Sequence, residues 1–133
     1  MKFEDISIGD IFSLERKFTR QDGRDFARLS GDFNKLHLDA DFGAQSKFED
    51  NIVYGLLAGS LFSALVGMRC PGENALYLSQ TMNFRQPIFY EEKLTATAEV
   101  IQKNENSNMI TLKTKIIKNG HTAIDGEAKV IVL

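Results

Sequence analysis

Hydrophobic residues along this chain follow two different periods, and the change falls near its middle. In the first half, Phe26 and Leu29 stand at helical spacing within 21–29, and the Ser30-Gly31-Asp32 run that follows predicts the end of that helix. A polar stretch comes next, Asp32-Phe33-Asn34-Lys35-Leu36-His37, after which Asp39 predicts the cap of a short helix running through Ala44. From 55 to 67 the residues are apolar on nearly every face, with small Ala58, Gly59, Ser60, Ser63 and Ala64 among Leu56, Leu57, Leu61, Phe62 and Leu65. A helix of that kind has to be surrounded by protein.

The second half alternates at period two. Leu94, Ala96, Ala98 and Val100 face one way and Thr95, Thr97 and Glu99 the other, and the same alternation recurs in 110–116 and 124–132. Asn119-Gly120 predicts a two-residue type I′ hairpin turn, because both central positions of that turn need φ > 0. The polar 104–108 stretch is a connection of hairpin length, 75–84 supplies another strand, and 11–18 the first. The order is therefore one strand, short helices, one wholly buried helix and four further strands. A sheet buries a helix on all sides only by curling around it. The expected class is α+β, an antiparallel sheet wrapped around a long central helix. One chain closes only part of that surface, so a homodimer or higher homo-oligomer is expected, with sheets joined edge to edge.

Composition narrows the picture. A chain of 133 residues with 43% hydrophobic content can bury a core of its own, and the expectation is a single domain over 1–133. The net charge of −2, from 16 basic and 18 acidic residues scattered along the chain, gives no footprint for a phosphate backbone or an anionic lipid surface. Neither nucleic acid nor membrane is an expected partner. The 52–68 stretch falls short of the roughly 20 apolar residues of a spanning helix. Cys70 is alone, so no intramolecular disulfide forms, and no Cys/His cluster offers metal ligands. With an acidic Met1-Lys2-Phe3-Glu4-Asp5 start in place of a signal peptide, the expected location is the cytoplasm.

The densest cluster of reactive side chains is the stretch from Ser30 to Asp39. Asp32 and His37 lie five apart across a glycine-led loop, a spacing that lets a carboxylate and an imidazole converge on one water and pass a proton to a neighbouring carbon. The same residues also fit a plain reading, with Asp32 capping a helix and His37 a half-buried loop histidine.

The run from Phe26 through Ser30-Gly31-Asp32-Phe33-Asn34-Lys35-Leu36-His37 resembles the hydratase signature of MaoC-like proteins, Ser-Gly-Asp-x-Asn-Pro-aliphatic-His after an aromatic residue. Ile52-Val53-Tyr54-Gly55-Leu56-Leu57 with Ser60-Leu61-Phe62-Ser63 resembles the start of that family's central helix, and Asn83-Phe84-Arg85-Gln86-Pro87-Ile88 its strand-to-loop segment. The resemblance covers most of the chain and implies a hot-dog fold and (R)-specific enoyl-CoA hydration. It implies that Asp32 is the general base or water-orienting carboxylate and that His37 shuttles the proton to the α-carbon. The backbone N–H of Gly55 is the candidate oxyanion donor, since a helix N-terminus presents free N–H groups. Asn34 is expected to brace the loop. Ser63 has two readings, a hydroxyl that orients His37 or a small helix residue bonded back to its backbone. Lys35 and Arg85 are candidate contacts for the phosphates of coenzyme A. The acyl-CoA thioester is substrate, and no cofactor or metal is expected. Two residues depart from the family's pattern: Lys35 stands where proline is usual, and Tyr54 where a histidine often precedes the helix glycine.

Other signals were weaker. A calcium loop starting at Asp32 needs an oxygen ligand fifth and glycine sixth, where this chain has Leu36 and His37. His121, after the Asn-Gly turn, is expected to be exposed and without a role, and Cys70 to be a buried structural thiol. The same fold also supports a dehydratase acting on acyl-carrier-protein substrates, a thioesterase, or a non-catalytic acyl-CoA-binding subunit. A thioesterase leaves the Asp32/His37 match unexplained, and a binding subunit leaves unexplained why both residues are present.

Overall fold

Thr19 opens the first helix, two residues before the expected start. In the computed structural model, which describes residues 1–133, the Thr19 hydroxyl accepts from the Asp22 amide while the Asp22 carboxylate accepts from the Thr19 amide. This reciprocal cap satisfies donors that a helix start leaves orphaned. Helix α1 (Arg20–Ser30) ends at Gly31, whose φ of 82° is the left-handed geometry glycine adopts at little cost. Where periodicity suggested only polar loop, a four-residue helix α2 (Lys35–Leu38) forms, because the Asn34 side chain caps it by accepting from the Leu36 amide. One turn is too short to imprint a period. Helix α3 (Ala40–Gln45) follows the expected Asp39 cap, and α4 (Gly55–Met68) is the long apolar helix.

Six strands form one antiparallel sheet in the order β1-β4-β5-β6-β2, with β3 paired to β6 beside β2. They are β1 (Ile11–Arg16), β2 (Ala75–Gln80), β3 (Asn83–Phe84), β4 (Leu94–Asn104), β5 (Met109–Lys118) and β6 (His121–Val132). The alternation in β4 is realised as expected, with Leu94, Ala96, Ala98 and Val100 all buried. Asn119 and Gly120 join β5 to β6 with φ of 48° and 75°, the signs a type I′ turn requires.

The single strand expected over 75–84 is two strands, so five strands follow α4 where four were expected. Leu78 is skipped in the pairing of β2 with β6, and the chain then comes so close to Gly126 that a Cβ there would collide with the Thr81 backbone. Thr81 bonds the Glu127 carbonyl before pairing resumes at Asn83 and Asp125. This irregularity carries the Phe84 ring against the start of α4.

The core lies between α4 and the sheet. Ala58, Leu61, Phe62, Leu65 and Val66 of the helix pack in one cluster with the inward side chains of β4, β5 and β6. Each large side chain fully buried there is worth about 1.5–3 kcal/mol. As expected of one chain, the sheet closes only part of the surface of α4. Leu56 is 62% exposed, and Ser60, Ser63 and Met68 also face outward. A uniformly apolar helix carries no information about which face its own sheet covers, and here the sheet covers one side only.

Candidate active site

The segment leading into α4 is strapped on both sides. Val53 donates to the Ile88 carbonyl at 2.7 Å, and Ile52 reaches back to the Leu36 carbonyl at 3.4 Å. Buried Asn51 adds side-chain bonds to the carbonyls of Leu36 (2.9 Å) and Asp39 (2.8 Å), and accepts from Arg20 at 2.8 Å. These contacts tie the 32–39 region to the N-terminus of α4. Asn51 was not singled out in the sequence, where it reads as an ordinary polar residue before a helix.

His37 stands on α2 with its Nδ1 2.8 Å from the Ile52 carbonyl oxygen. A carbonyl only accepts, so in the neutral ring Nδ1 carries the proton and Nε2 presents its lone pair. The imidazole stacks on the Tyr54 ring with centroids 4.0 Å apart and planes 28° from parallel. Asp32 lies in the exposed stretch before α2, where one carboxylate oxygen accepts from the Asn34 amide at 3.0 Å. The Tyr54 hydroxyl donates to the Asp32 backbone carbonyl at 2.6 Å, which leaves the other carboxylate oxygen uncommitted. Burial and the neighbouring Asp32 charge push the Tyr54 phenol above its ordinary range. Positions 32 and 37 are thus both held by the same tyrosine. Asn34 braces this stretch by capping α2.

Gly55 is the first residue of α4, so its amide is among those a helix leaves without an internal partner. A Cβ on Gly55 would stand 2.6 Å from the Phe84 ring, so only glycine lets that ring lie against the helix start. Gly55 and Leu56 line a groove of about 540 Å³ with Phe48, Ile52, Phe84 and Ile88 on its walls. Of the candidate groups, the Gly55 amide lies on this groove, and His37 joins it through its bond to Ile52, while Asp32 and His37 are not themselves among its lining residues. A carboxylate, an imidazole lone pair and a free helix-terminal amide are the groups that acid-base chemistry on a polarised carbonyl compound uses.

The other expected residues fall as follows. Arg85 is on the groove, ion-paired to Asp125 at 3.2 Å, and the Asn83 and Arg85 hydrogen bonds hold the Asp125 carboxyl below its usual range. Lys35 is exposed on α2 and outside the groove lining, whereas Lys47, which the sequence did not single out, lies on it. Ser63 is exposed on the bare face of α4. The bonded nitrogen of His37 turns to Ile52, and the back-bonded serine is Ser60, whose hydroxyl meets the Leu57 carbonyl. Neither reading of Ser63 describes its surroundings in one chain. His121 is exposed, and Cys70 is buried, its thiol pushed up to about 11 by burial. No three His, Cys, Asp or Glu side chains gather at metal-ligand range.

The MaoC like domain family model matches residues 9–123. The chain is 40% identical over 131 residues to the (R)-specific enoyl-CoA hydratase of Aeromonas caviae, covering 98% of each. It is 32% identical over 131 residues to a mitochondrial 3-hydroxyacyl-[acyl-carrier-protein] dehydratase of Arabidopsis thaliana, covering 96% of this chain and 78% of that one. Among solved structures it is similar to the (R)-hydratase from A. caviae involved in PHA biosynthesis, with a TM-score of 0.95, 39% identity and coverage of 98% and 99%.

Proposed function

This chain belongs to the MaoC-like domain family, and from that membership and the geometry around Tyr54 we propose that it hydrates trans-2-enoyl-CoA to (R)-3-hydroxyacyl-CoA, reversibly, as a single hot-dog domain over 1–133. The observation that carries the reading is the joint hold of Tyr54 on Asp32 and His37, one residue before the free amide of Gly55.

In this reading the thioester lies with its carbonyl oxygen at the Gly55 N–H and its acyl chain along the apolar groove. The uncommitted Asp32 oxygen orients a water, and the His37 Nε2 lone pair takes its proton as the water oxygen bonds to the β-carbon. Negative charge then builds on the thioester oxygen, where a fixed N–H at a helix terminus is most stabilising. His37 returns the proton to the α-carbon on the same face. The reaction as written uses only substrate, water and these side chains. Arg85 and Lys47 at the groove, and Lys35 on α2, are the cations within our proposal for the coenzyme A phosphates.

Two copies pairing through the bare face of α4 and edge strand β2 complete the assembly we propose. A cytoplasmic location fits the lone buried thiol, and no helix is long and apolar enough to cross a membrane.

The test is the assay of crotonyl-CoA with purified protein, followed by chiral analysis of the product. Loss of the conjugated absorbance with formation of the (R) alcohol is expected. Formation of the (S) alcohol, or hydration of crotonyl-acyl carrier protein alone, would replace this reading.

A further inference from the structure

We propose that Tyr54 and Tyr90 are positioning residues that clamp the two ends of the Asp32–His37 stretch, each through the backbone carbonyl of one member of the acid-base pair. The inference rests on the hydratase reading above and concerns how this chain holds the pair without the proline usual at position 35.

The exposed front of the stretch, 31–35, makes no side-chain bond of its own to the body of the protein. Residues 31–35 are exposed, and their side-chain bonds are local: Ser30 to the Asp32 amide, Asp32 to the Asn34 amide and Asn34 to the Leu36 amide. Such bonds set the curl of a segment and not its placement. Asn51 and Ile52 hold the carbonyls of Leu36 and Asp39, and the two phenols hold those of the acid-base pair itself. Tyr54, only 3% exposed, donates to the Asp32 carbonyl at 2.6 Å, and Tyr90 donates to the His37 carbonyl at 2.9 Å. Tyr90 arrives from a segment 53 residues further along the chain and reaches His37 across Gly23 of α1, where a Cβ would collide with its hydroxyl. Tyr54 also packs against both the His37 ring and the Phe26 ring, the latter with its centroid 4.7 Å away. Both hydroxyls bond to main-chain oxygens, so the carboxylate and Nε2 stay free for the reaction. Burial keeps both phenols protonated, pushing that of Tyr90 up to about 12.

Position 35 explains why such a clamp matters here. Lys35 is the first residue of α2, its amide donates to no protein acceptor, and the preceding Asn34 has φ −59° and ψ 127°. That is the geometry a proline at 35 would enforce unaided, since proline tolerates the first helical position and drives its predecessor extended. With lysine there, the φ restraint is missing from the chain and supplied from outside.

The experiment compares crotonyl-CoA hydration by wild type, Tyr54→Phe, Tyr90→Phe, and each Phe variant combined with Lys35→Pro, with Tm measured for all. Tyr54→Phe keeps the ring stack and loses the tether, so kcat is expected to fall about tenfold or more while KM stays within about twofold, as small misplacements of acid-base groups do. Tyr90→Phe is expected to act in the same direction. Adding Lys35→Pro is expected to restore at least half of the lost kcat, which a merely structural role does not predict. Wild-type kcat in both Phe variants overturns the clamp, as does a kcat loss that Lys35→Pro leaves unrepaired while raising Tm. If Tyr54→Phe fails to fold, Tyr90→Phe alone decides by the same criteria. A wild-type chain without hydratase activity overturns the proposed reaction and the clamp with it. An active wild type with unaffected Phe variants overturns the clamp alone.

Discussion

At the scale of single residues, His37 is the most constrained of the candidate groups: one nitrogen is committed to the Ile52 carbonyl, one ring face to Tyr54, and Nε2 is left free. Asp32 is held the opposite way, through its backbone, with a carboxylate oxygen to spare. Replacing Asp32 should therefore remove chemistry without removing structure, whereas replacing His37 also gives up its Ile52 bond and its stack on Tyr54. Asp32→Asn retains the Oδ1 acceptor for the Asn34 amide, and the Tyr54 bond goes to a backbone atom that the change leaves alone. Both Asp32→Asn and His37→Ala are expected to lower kcat for crotonyl-CoA by about 10²–10⁴-fold, with Tm within a few degrees of wild type for Asp32→Asn and lower for His37→Ala. Turnover within a few-fold of wild type in either variant would take that residue out of the mechanism.

At the scale of elements, the unfinished business is an edge and a face. Strand β2 ends the sheet with Leu76 and Leu78 exposed, the latter 51%, and α4 leaves Leu56, Ser60, Ser63 and Met68 uncovered. An apolar unpaired edge invites a second strand, and proteins that stay monomeric blunt such edges with charge or proline. Here that edge carries neither, which is why a second copy is the occupant we propose. Light scattering is expected to give the mass of two chains. The double variant Leu76→Lys, Leu78→Lys is expected to shift that mass toward one chain, because charge on an edge opposes pairing. A wild type that runs as a monomer at micromolar concentration would refute the assembly.

For the whole molecule, the buried titratable groups set the alkaline limit. Burial pushes Tyr77 and Tyr90 up to about 12 and Cys70 up to about 11, above their unfolded values near 10 and 9. Between those limits the unfolded chain has lost protons that the folded chain retains, so stability falls as pH rises. The contribution is complete below about pH 9 and is lost progressively up to about pH 12. Thermal melts across that window are expected to show a falling Tm, with a shallower slope in Tyr77→Phe. A slope unchanged in that variant would mean the Tyr77 phenol ionises as readily in the fold as out of it.

What the sequence determined by itself is whatever depends on neighbours along the chain. Period two placed β4, β5 and β6, Asn119-Gly120 placed their turn, Asp39 placed a helix start, and the 30–37 motif with 52–63 and 83–88 was enough to recognise the family. Thr19-x-x-Asp22 is a local signal of the same kind, a reciprocal cap written within four residues. The tertiary structure alone decided where side chains far apart in sequence meet: Tyr54 on Asp32 and His37, Tyr90 on His37 across Gly23, Asn51 under α2, and Thr81 against Gly126 splitting one expected strand into two. It also decided which face of α4 is covered. The physical reason is that backbone geometry fixes the direction of a side chain relative to its own element. What that side chain touches depends on how elements pack, and a helix that is apolar all round leaves that choice entirely to the packing.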